Sequence, residues 1–399
     1  MTRHFCGAAN LACSRLLAGS LLAAAILATA SPAFPQGTPK SATEWLMYVG
    51  TYTNQQSKGI YGYRFQSSGK VTPLGLVAET SSPSFLVVDR SQKFVYAANE
   101  LSKYEGRPAG SISAFAIDEA TGQLKLLNKV SSKGTDPCHV SLDETGKWLF
   151  AANYTSGSLV VFPVHENGSL GEASAFVQHT GSSVDPQRQK GPHAHSVYAS
   201  PDNRFVLAND LGLDHVMVYR LDAAKGTLTA NQPPFAKLAP GSGPRHLAFG
   251  KDGKFVYVLS EMMATVTVFS YNAGAGSLAQ TQTISMLPAD YTGPKSGAEI
   301  AVHPNGKFLY ASNREHNSIA IFRIDPGSGA LTAAGRVSTQ GKTPRNFAID
   351  PTGAFLLAAN QDSGSIVVFR IDQATGALTP SGDTLNVASP VCIVFAQVR

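Results

Sequence analysis

The sequence predicts an all-β fold, a seven-bladed β-propeller whose ring is closed by pairing the N- and C-terminal strands in one blade. The first observation is composition: 399 residues with 43% apolar and only 15% charged, 37 Gly and 23 Pro, the balance of a turn-rich β protein. The second is a segment that recurs seven times at intervals of about fifty residues, the length of a four-stranded propeller blade. Its clearest copies run 139–153 and 346–360: a short apolar strand, an Asp/Gly turn at Asp143 to Gly146 or Asp350 to Gly353, and a second apolar strand ending at Asn153 or Asn360. The third is that the two chain ends carry complementary fragments of this unit.

In chain order, the first element is 46–53, which matches the second strand of a unit and has no first strand before it. Six complete units follow. Their first strands open just after Ser84, Cys138, His195, Arg245, Ala298 and Arg345, and their second strands end at Asn99, Asn153, Asp210, Ser260, Asn313 and Asn360. Further strand signals fill the intervals, for example at 157–164 and 173–178, or at 318–324 and 331–337. The final element, 391–398, follows the same pre-strand position at Val391 and matches a first strand that lacks its second. Joining the two fragments leaves no sheet edge open around the ring. Runs such as 205–208 and 255–259 are apolar throughout, as expected of strands covered on both faces by neighbouring blades.

Before Trp45 the character changes. Arg3 and Arg15 precede an apolar run at 16–30 ending in Ala28-Thr29-Ala30, the pattern of a secretory signal peptide and short for a membrane span. The expected domains are therefore a signal peptide at 1–30, cleaved after Ala30 or Ala33, a flexible linker at 31–43, and the propeller at 44–399; a retained anchor helix is the alternative. The mature protein is expected in the periplasm or secreted, as a monomer free of the membrane. The net charge of +5 loses two with Arg3 and Arg15, and no basic run remains to suggest nucleic acid. Of the 4 cysteines, Cys6 and Cys13 leave with the leader. Cys138 and Cys392 fall on blades that are not neighbours, which argues against a disulfide.

The repeat also serves as a register. In an up-and-down blade, the entry to the first strand and the exit from the second lie at the same end of the ring, near its axis. That rim gathers Thr51-Tyr52, Asn99-Glu100, Asn153-Tyr154, Asp210-Leu211, Ser260-Glu261, Asn313-Arg314 and Asn360-Gln361, together with His195, Arg245 and Arg345. The long insertions at 101–110, 180–194 and 287–297 fall at the same end, where loops of such length tend to wall a site. The cluster suits a small-molecule site, although arginines and glutamates there also suit ion pairs between blades.

For a lactone, hydrolysis needs a base for water and donors for a tetrahedral oxyanion. His195 and Glu261 are candidate bases, Arg245 and Arg314 candidate oxyanion donors, and Arg345 a fork for a carboxylate or phosphate. His193 and His195 form an i, i+2 pair that is weak evidence for a metal, so no metal or cofactor is expected. The sequence has no Gly-x-Ser-x-Gly elbow, phosphate-binding loop or paired-cysteine zinc motif. Cys138 sits at a rim position, but its neighbours read as packing, so an inert thiol is the expectation.

From about Met47 to Val398 the chain resembles the seven-bladed propeller lactonase family, which includes bacterial 6-phosphogluconolactonases and fungal carboxy-muconate cyclases. The resemblance rests on Gly50-Thr51-Tyr52-Thr53, Gly191-Pro192-His193-Ala194-His195, Asp210-Leu211-Gly212-Leu213-Asp214, Gly243-Pro244-Arg245-His246, Ala298-Glu299-Ile300, Ser312-Asn313-Arg314 and Pro344-Arg345-Asn346, in order and on matching blade positions. It implies a lactonase whose catalytic groups are His195, Arg245, Glu261 and Arg314; His193, Arg345, Asn313, Glu299 and Asp210 are the candidate substrate-binding residues of the same region. A lactonising cyclase would use the same residues in reverse, and a non-catalytic binding or scaffold propeller is the reading from another class. Export would separate the enzyme from a cytosolic sugar phosphate while leaving the lactonase reading intact.

Overall fold

The structure is a computed structural model that describes residues 43–53 and 56–398. The expected signal peptide and all of the linker except Thr43 lie outside the described residues. Every regular element among the described residues is a β-strand, and the strands form seven four-stranded sheets. Blade one joins β1 (Glu44–Thr51), β2 (Gly59–Gln66) and β3 (Val71–Glu79) to the last strand of the chain. Blade two holds β4 to β7 (Pro83–Val88, Phe94–Asn99, Ser111–Ile117, Leu124–Ser131), and blade three β8 to β11 (Pro137–Leu142, Trp148–Asn153, Ser158–Pro163, Ala175–Gln178). Blade four holds β12 to β15 (Ala194–Ala199, Phe205–Asp210, His215–Asp222, Thr227–Lys237), and blade five β16 to β19 (Pro244–Phe249, Phe255–Ser260, Thr265–Asn272, Ser277–Ser285). Blade six holds β20 to β23 (Gly297–Val302, Phe308–Asn313, Ser318–Ile324, Leu331–Ser338), and blade seven β24 to β27 (Pro344–Ile349, Phe355–Asn360, Ser365–Ile371, Leu378–Asn386). The last strand, β28 (Pro390–Gln397), pairs antiparallel with β1. The ring closes as the chain-end fragments predict.

The Asp/Gly turns between first and second strands recur because one carboxylate satisfies several backbone donors. Asp89 Oδ1 accepts the amides of Lys93 at 2.8 Å and Phe94 at 2.7 Å, and Asp350 Oδ1 accepts that of Phe355 at 2.7 Å. Gly353, at φ 74°, closes the same turn in the left-handed region that glycine adopts without strain. Between the blades lie hydrophobic clusters, one for each seam. Phe355, Leu357 and Val368 of blade seven pack on Trp45, Met47 and Phe65 of blade one, and the other six seams are filled alike. Each large side chain buried there contributes about 2 kcal/mol, so the seams rather than the individual sheets hold the ring.

The first strands carry a feature that the sequence register does not show. In every blade the pairing of first and second strand skips a residue: Ser84, Cys138, His195, Arg245, Ala298 with Glu299, Arg345 and Val391. These positions were expected just ahead of the strand; they are bulged residues inside it. A bulge leaves its residue unpaired and re-aims its side chain, and His195, Arg245 and Arg345 are so turned toward the ring's mouth. The residue after each second strand is fixed just as regularly. The amides of Tyr52, Glu100, Tyr154, Leu211, Glu261, Arg314 and Gln361 all donate to the carbonyl two residues before a bulge, at Ser389, Ser82, Asp136, His193, Gly243, Ser296 and Thr343.

Candidate active site

The two register positions converge on Glu261. Its Oε2 lies 2.8 Å from Nη2 of Arg314 and 3.2 Å from Nε of Arg245, and its Oε1 2.7 Å from Nη2 of Arg188. Nε2 of His195 is 3.9 Å from the same Oε2. Burial alone would raise the Glu261 carboxyl, but Arg314, Arg245 and Arg188 overcome it and hold the group at about 2. Glu261 is therefore ionised throughout the physiological range. His195 is pushed well below the usual imidazole range by burial and by Arg245, so its ring is neutral at physiological pH.

Both buried arginines are anchored from behind. Arg245 Nη1 donates to the Ala298 carbonyl at 2.6 Å, and Arg314 Nη2 reaches the Gly297 carbonyl at 3.4 Å. Burial, with Arg345 and Arg314 nearby, brings the Arg245 guanidinium down to about 10, still charged at neutral pH. The Nε–H groups of Arg245 and Arg314 are buried and have no hydrogen-bond partner among the described residues; the contact of Arg245 Nε with Glu261 lacks the angle for one. Buried donors of this kind are costly unless something accepts from them.

Beneath Arg245 a buried chain of hydrogen bonds runs through four blades. Arg245 Nη1 approaches His246 Nε2 at 3.4 Å; because a guanidinium only donates, Nε2 accepts and the His246 proton sits on Nδ1, which meets Glu299 Oε1 at 3.0 Å. Glu299 Oε2 accepts from Asn346 Nδ2 at 2.6 Å, and Asn346 Oδ1 from the amide of Ile393 at 2.9 Å. At the same level Phe85, His139 and His246 meet across the axis, with ring centroids 4.3 to 5.6 Å apart. Aromatic rings thus fill the axis under the mouth.

Across the mouth, Tyr52 donates its hydroxyl to Glu100 at 2.9 Å and 3.0 Å from the two carboxylate oxygens, and Arg345 lies over the Tyr52 ring at 5.3 Å. Although burial pulls the Arg345 guanidinium down, Tyr52, Glu100 and Glu261 outweigh it and raise it. Tyr154 stands between the two histidines of the His-x-His pair: His193 stacks flat on it at 4.6 Å and His195 meets its edge at 5.4 Å. Among the described residues no group of three or more His, Cys, Asp or Glu converges as a metal site.

The structure thus brings His195, Arg245, Glu261 and Arg314 together, with Arg345 nearby. Glu299 lies one layer below, reached through His246. His193 binds the Tyr154 carbonyl through Nδ1 at 3.0 Å. Asp210 and Asn313 turn away: Asp210 Oδ2 holds His179 at 2.6 Å while Oδ1 accepts the amides of His193, Gly212 and Leu213, and Asn313 Nδ2 reaches the Met286 carbonyl at 3.4 Å. Asn99, Asn153 and Asn360 make the equivalent contact to Ser81, Ser132 and Thr339. That position is shared scaffold, tying each blade to the chain arriving from the one before. Sequence reasoning missed Arg188, which comes from the 180–194 insertion, outside the repeat register. Cys138 is buried, its thiol pushed up by burial first and then by Glu100, and it donates to the His195 carbonyl at 3.2 Å. Cys392 is likewise a free, buried thiol.

Comparisons with known proteins agree with the seven-bladed fold. Residues 46–395 match the family model described as "Lactonase, 7-bladed beta-propeller". The chain is 38% identical over 306 residues to a 6-phosphogluconolactonase of Bacillus subtilis, covering 76% of this chain and 85% of that one. It is 37% identical over 307 residues to a 6-phosphogluconolactonase of Formosa agariphila, covering 75% and 85%. The solved structure of a periplasmic gluconolactonase from Pseudomonas aeruginosa superposes with a TM-score of 0.85 at 37% identity, over 90% of this chain and 100% of that one.

Proposed function

The chain belongs to the seven-bladed β-propeller lactonase family, and from that premise we propose that its mouth hydrolyses a sugar-acid lactone of the gluconolactone or 6-phosphogluconolactone kind. One observation carries the reading. A neutral imidazole, an ionised carboxylate and two buried guanidinium groups with unengaged Nε–H donors share one end of one ring. In the proposed reaction, water held between His195 and Glu261 attacks the lactone carbonyl carbon and gives one proton to His195. The carbonyl oxygen takes up the negative charge, facing Arg245 and Arg314. Collapse breaks the bond to the ring oxygen, which leaves with the proton from His195. The product is a hydroxy acid that ionises at neutral pH and releases one proton to solvent.

Arg345, half-buried beside the cluster, is the proposed fork for a carboxylate or phosphate on the substrate, and His193 with Tyr154 forms the facing wall. Glu299 is proposed to act by orienting His246 and, through it, Arg245. The leader expected at 1–30 supports an exported enzyme, and a periplasmic gluconolactonase is among the similar structures. The test is turnover by the purified protein of gluconolactone, 6-phosphogluconolactone and carboxymuconolactone. His195→Ala is expected to lower kcat by roughly 10²- to 10⁴-fold. Failure to open any lactone, with wild type and His195→Ala indistinguishable, sinks the proposal and leaves a binding propeller.

A further inference from the structure

Three guanidinium groups hold Glu261, and they are not alike. Arg245 is 3% exposed and Arg314 14%, each anchored to a backbone carbonyl. Arg188 is 45% exposed, and its Nη2 binds only side chains: Glu261 Oε1 at 2.7 Å and the Tyr154 hydroxyl at 3.1 Å. Its backbone, by contrast, is held on both sides. Asp185 Oδ1 accepts the amides of Gln187 and Arg188, both at 2.8 Å, and the buried Gln189 donates to the Leu211 carbonyl at 2.8 Å. Ser183 donates to Asp214 Oδ2 at 2.6 Å, and the amide of His193 to Asp210 Oδ1 at 2.8 Å. The loop is fixed; the guanidinium at its tip is the freest of the three.

We infer that Arg188 is a substrate-responsive counter-ion, seated on Glu261 in the free enzyme and drawn to an anionic group of the bound lactone, which releases one oxygen of Glu261 for catalysis. The inference rests on the lactonase reading above and deepens it. Its chemical reason is that a carboxylate held by three cations is a weak hydrogen-bond acceptor, and it holds the attacking water beside His195 more strongly as a counter-ion leaves. Arg245 and Arg314 cannot leave without exposing their backbone acceptors; Arg188 can. A carboxylate or phosphate on the substrate offers Arg188 a fork equal to the one it gives up. A neutral lactone does not, and meets a Glu261 still fully paired.

The experiment compares wild type, Arg188→Gln and Arg188→Lys. For gluconolactone and 6-phosphogluconolactone, kcat/KM is followed against pH; in parallel, binding of gluconate and 6-phosphogluconate is measured by calorimetry. Wild type is expected to favour the phosphorylated member of each pair, and Arg188→Gln to reduce that preference about tenfold. With the neutral lactone, Arg188→Gln should move the acid limb to higher pH, because a carboxylate with one cation fewer protonates earlier. Arg188→Lys keeps the charge and loses the fork, so its acid limb should stay near that of wild type while the preference falls. Unchanged preference with superimposable acid limbs overturns the inference even if every lactone is hydrolysed. If no lactone is opened, the lactonase reading fails separately and the binding pair decides this one: equal affinity of wild type and Arg188→Gln for 6-phosphogluconate overturns it.

Discussion

Replacing Glu261 with Gln keeps the shape of the side chain and removes the charge on which three arginines converge. The carboxyl falls from its usual 4.5 to about 2 in the folded protein, and at about 1.4 kcal/mol per tenfold in proton affinity this is worth about 3 kcal/mol of stability. The sign follows from the depressed value. The contribution is complete above about pH 4.5, where the unfolded carboxyl is ionised too, and is lost as pH falls toward 2. At pH 7 Glu261→Gln should therefore be less stable by about 3 kcal/mol or somewhat more, since it leaves Arg245 and Arg314 buried without a counter-charge. The two proteins should converge between pH 4.5 and 2.5, because acid does to wild type what the substitution has already done. Urea unfolding of both at pH 7, 5, 4 and 3 measures the gap directly. A gap that does not change with pH would refute the reasoning, since the carboxylate would then contribute through packing and not through charge.

Two further outcomes are expected. In Gly212→Ala the new Cβ would lie 1.9 Å from the Gly191 carbonyl oxygen and 3.0 Å from the His193 amide, so the 180–194 loop must shift; a loss of about 2 kcal/mol and the acid limb of Arg188→Gln should appear together, and unchanged melting with an unchanged pH profile would contradict the account of the loop. The buried Cys138 thiol, pushed up by burial, should resist alkylation at pH 8, and Cys138→Ala should retain turnover at a cost of about 1 kcal/mol; rapid alkylation with loss of activity would make the thiol part of the chemistry.

The ring, its blade count and its closure were legible because they rest on strand periodicity and turn residues repeated along the chain, and repetition averages out local ambiguity. The main cluster was legible for the same reason: His195, Arg245, Glu261 and Arg314 occupy equivalent positions where the scaffold leaves the side chain free. The bulge was not legible. An extra residue in a strand pairing has no composition of its own, and the residues of the seven bulges range from Ala to Arg. The roles of Asp210 and Asn313 were hidden because a polar residue at a strand end looks the same whether it faces a ligand or a carbonyl; only the matching contacts of Asn99, Asn153 and Asn360 show it to be the latter. Arg188 was hidden because its insertion has no counterpart in the other blades, and carboxylates from a different stretch of chain, Asp210 and Asp214, decide its course.

The seam between β1 and β28 has a consequence for how the molecule wears out. The Ile393 amide on β28 is the last member of the chain that runs through Asn346, Glu299 and His246 to Arg245. A ring sealed by its own tail has one place where it can come undone without breaking a continuous blade, and here that place is wired to the proposed active site. Fraying of the tail is expected to disturb the proposed active site before the rest of the ring loses its shape, so that turnover should fall earlier than the global melting transition.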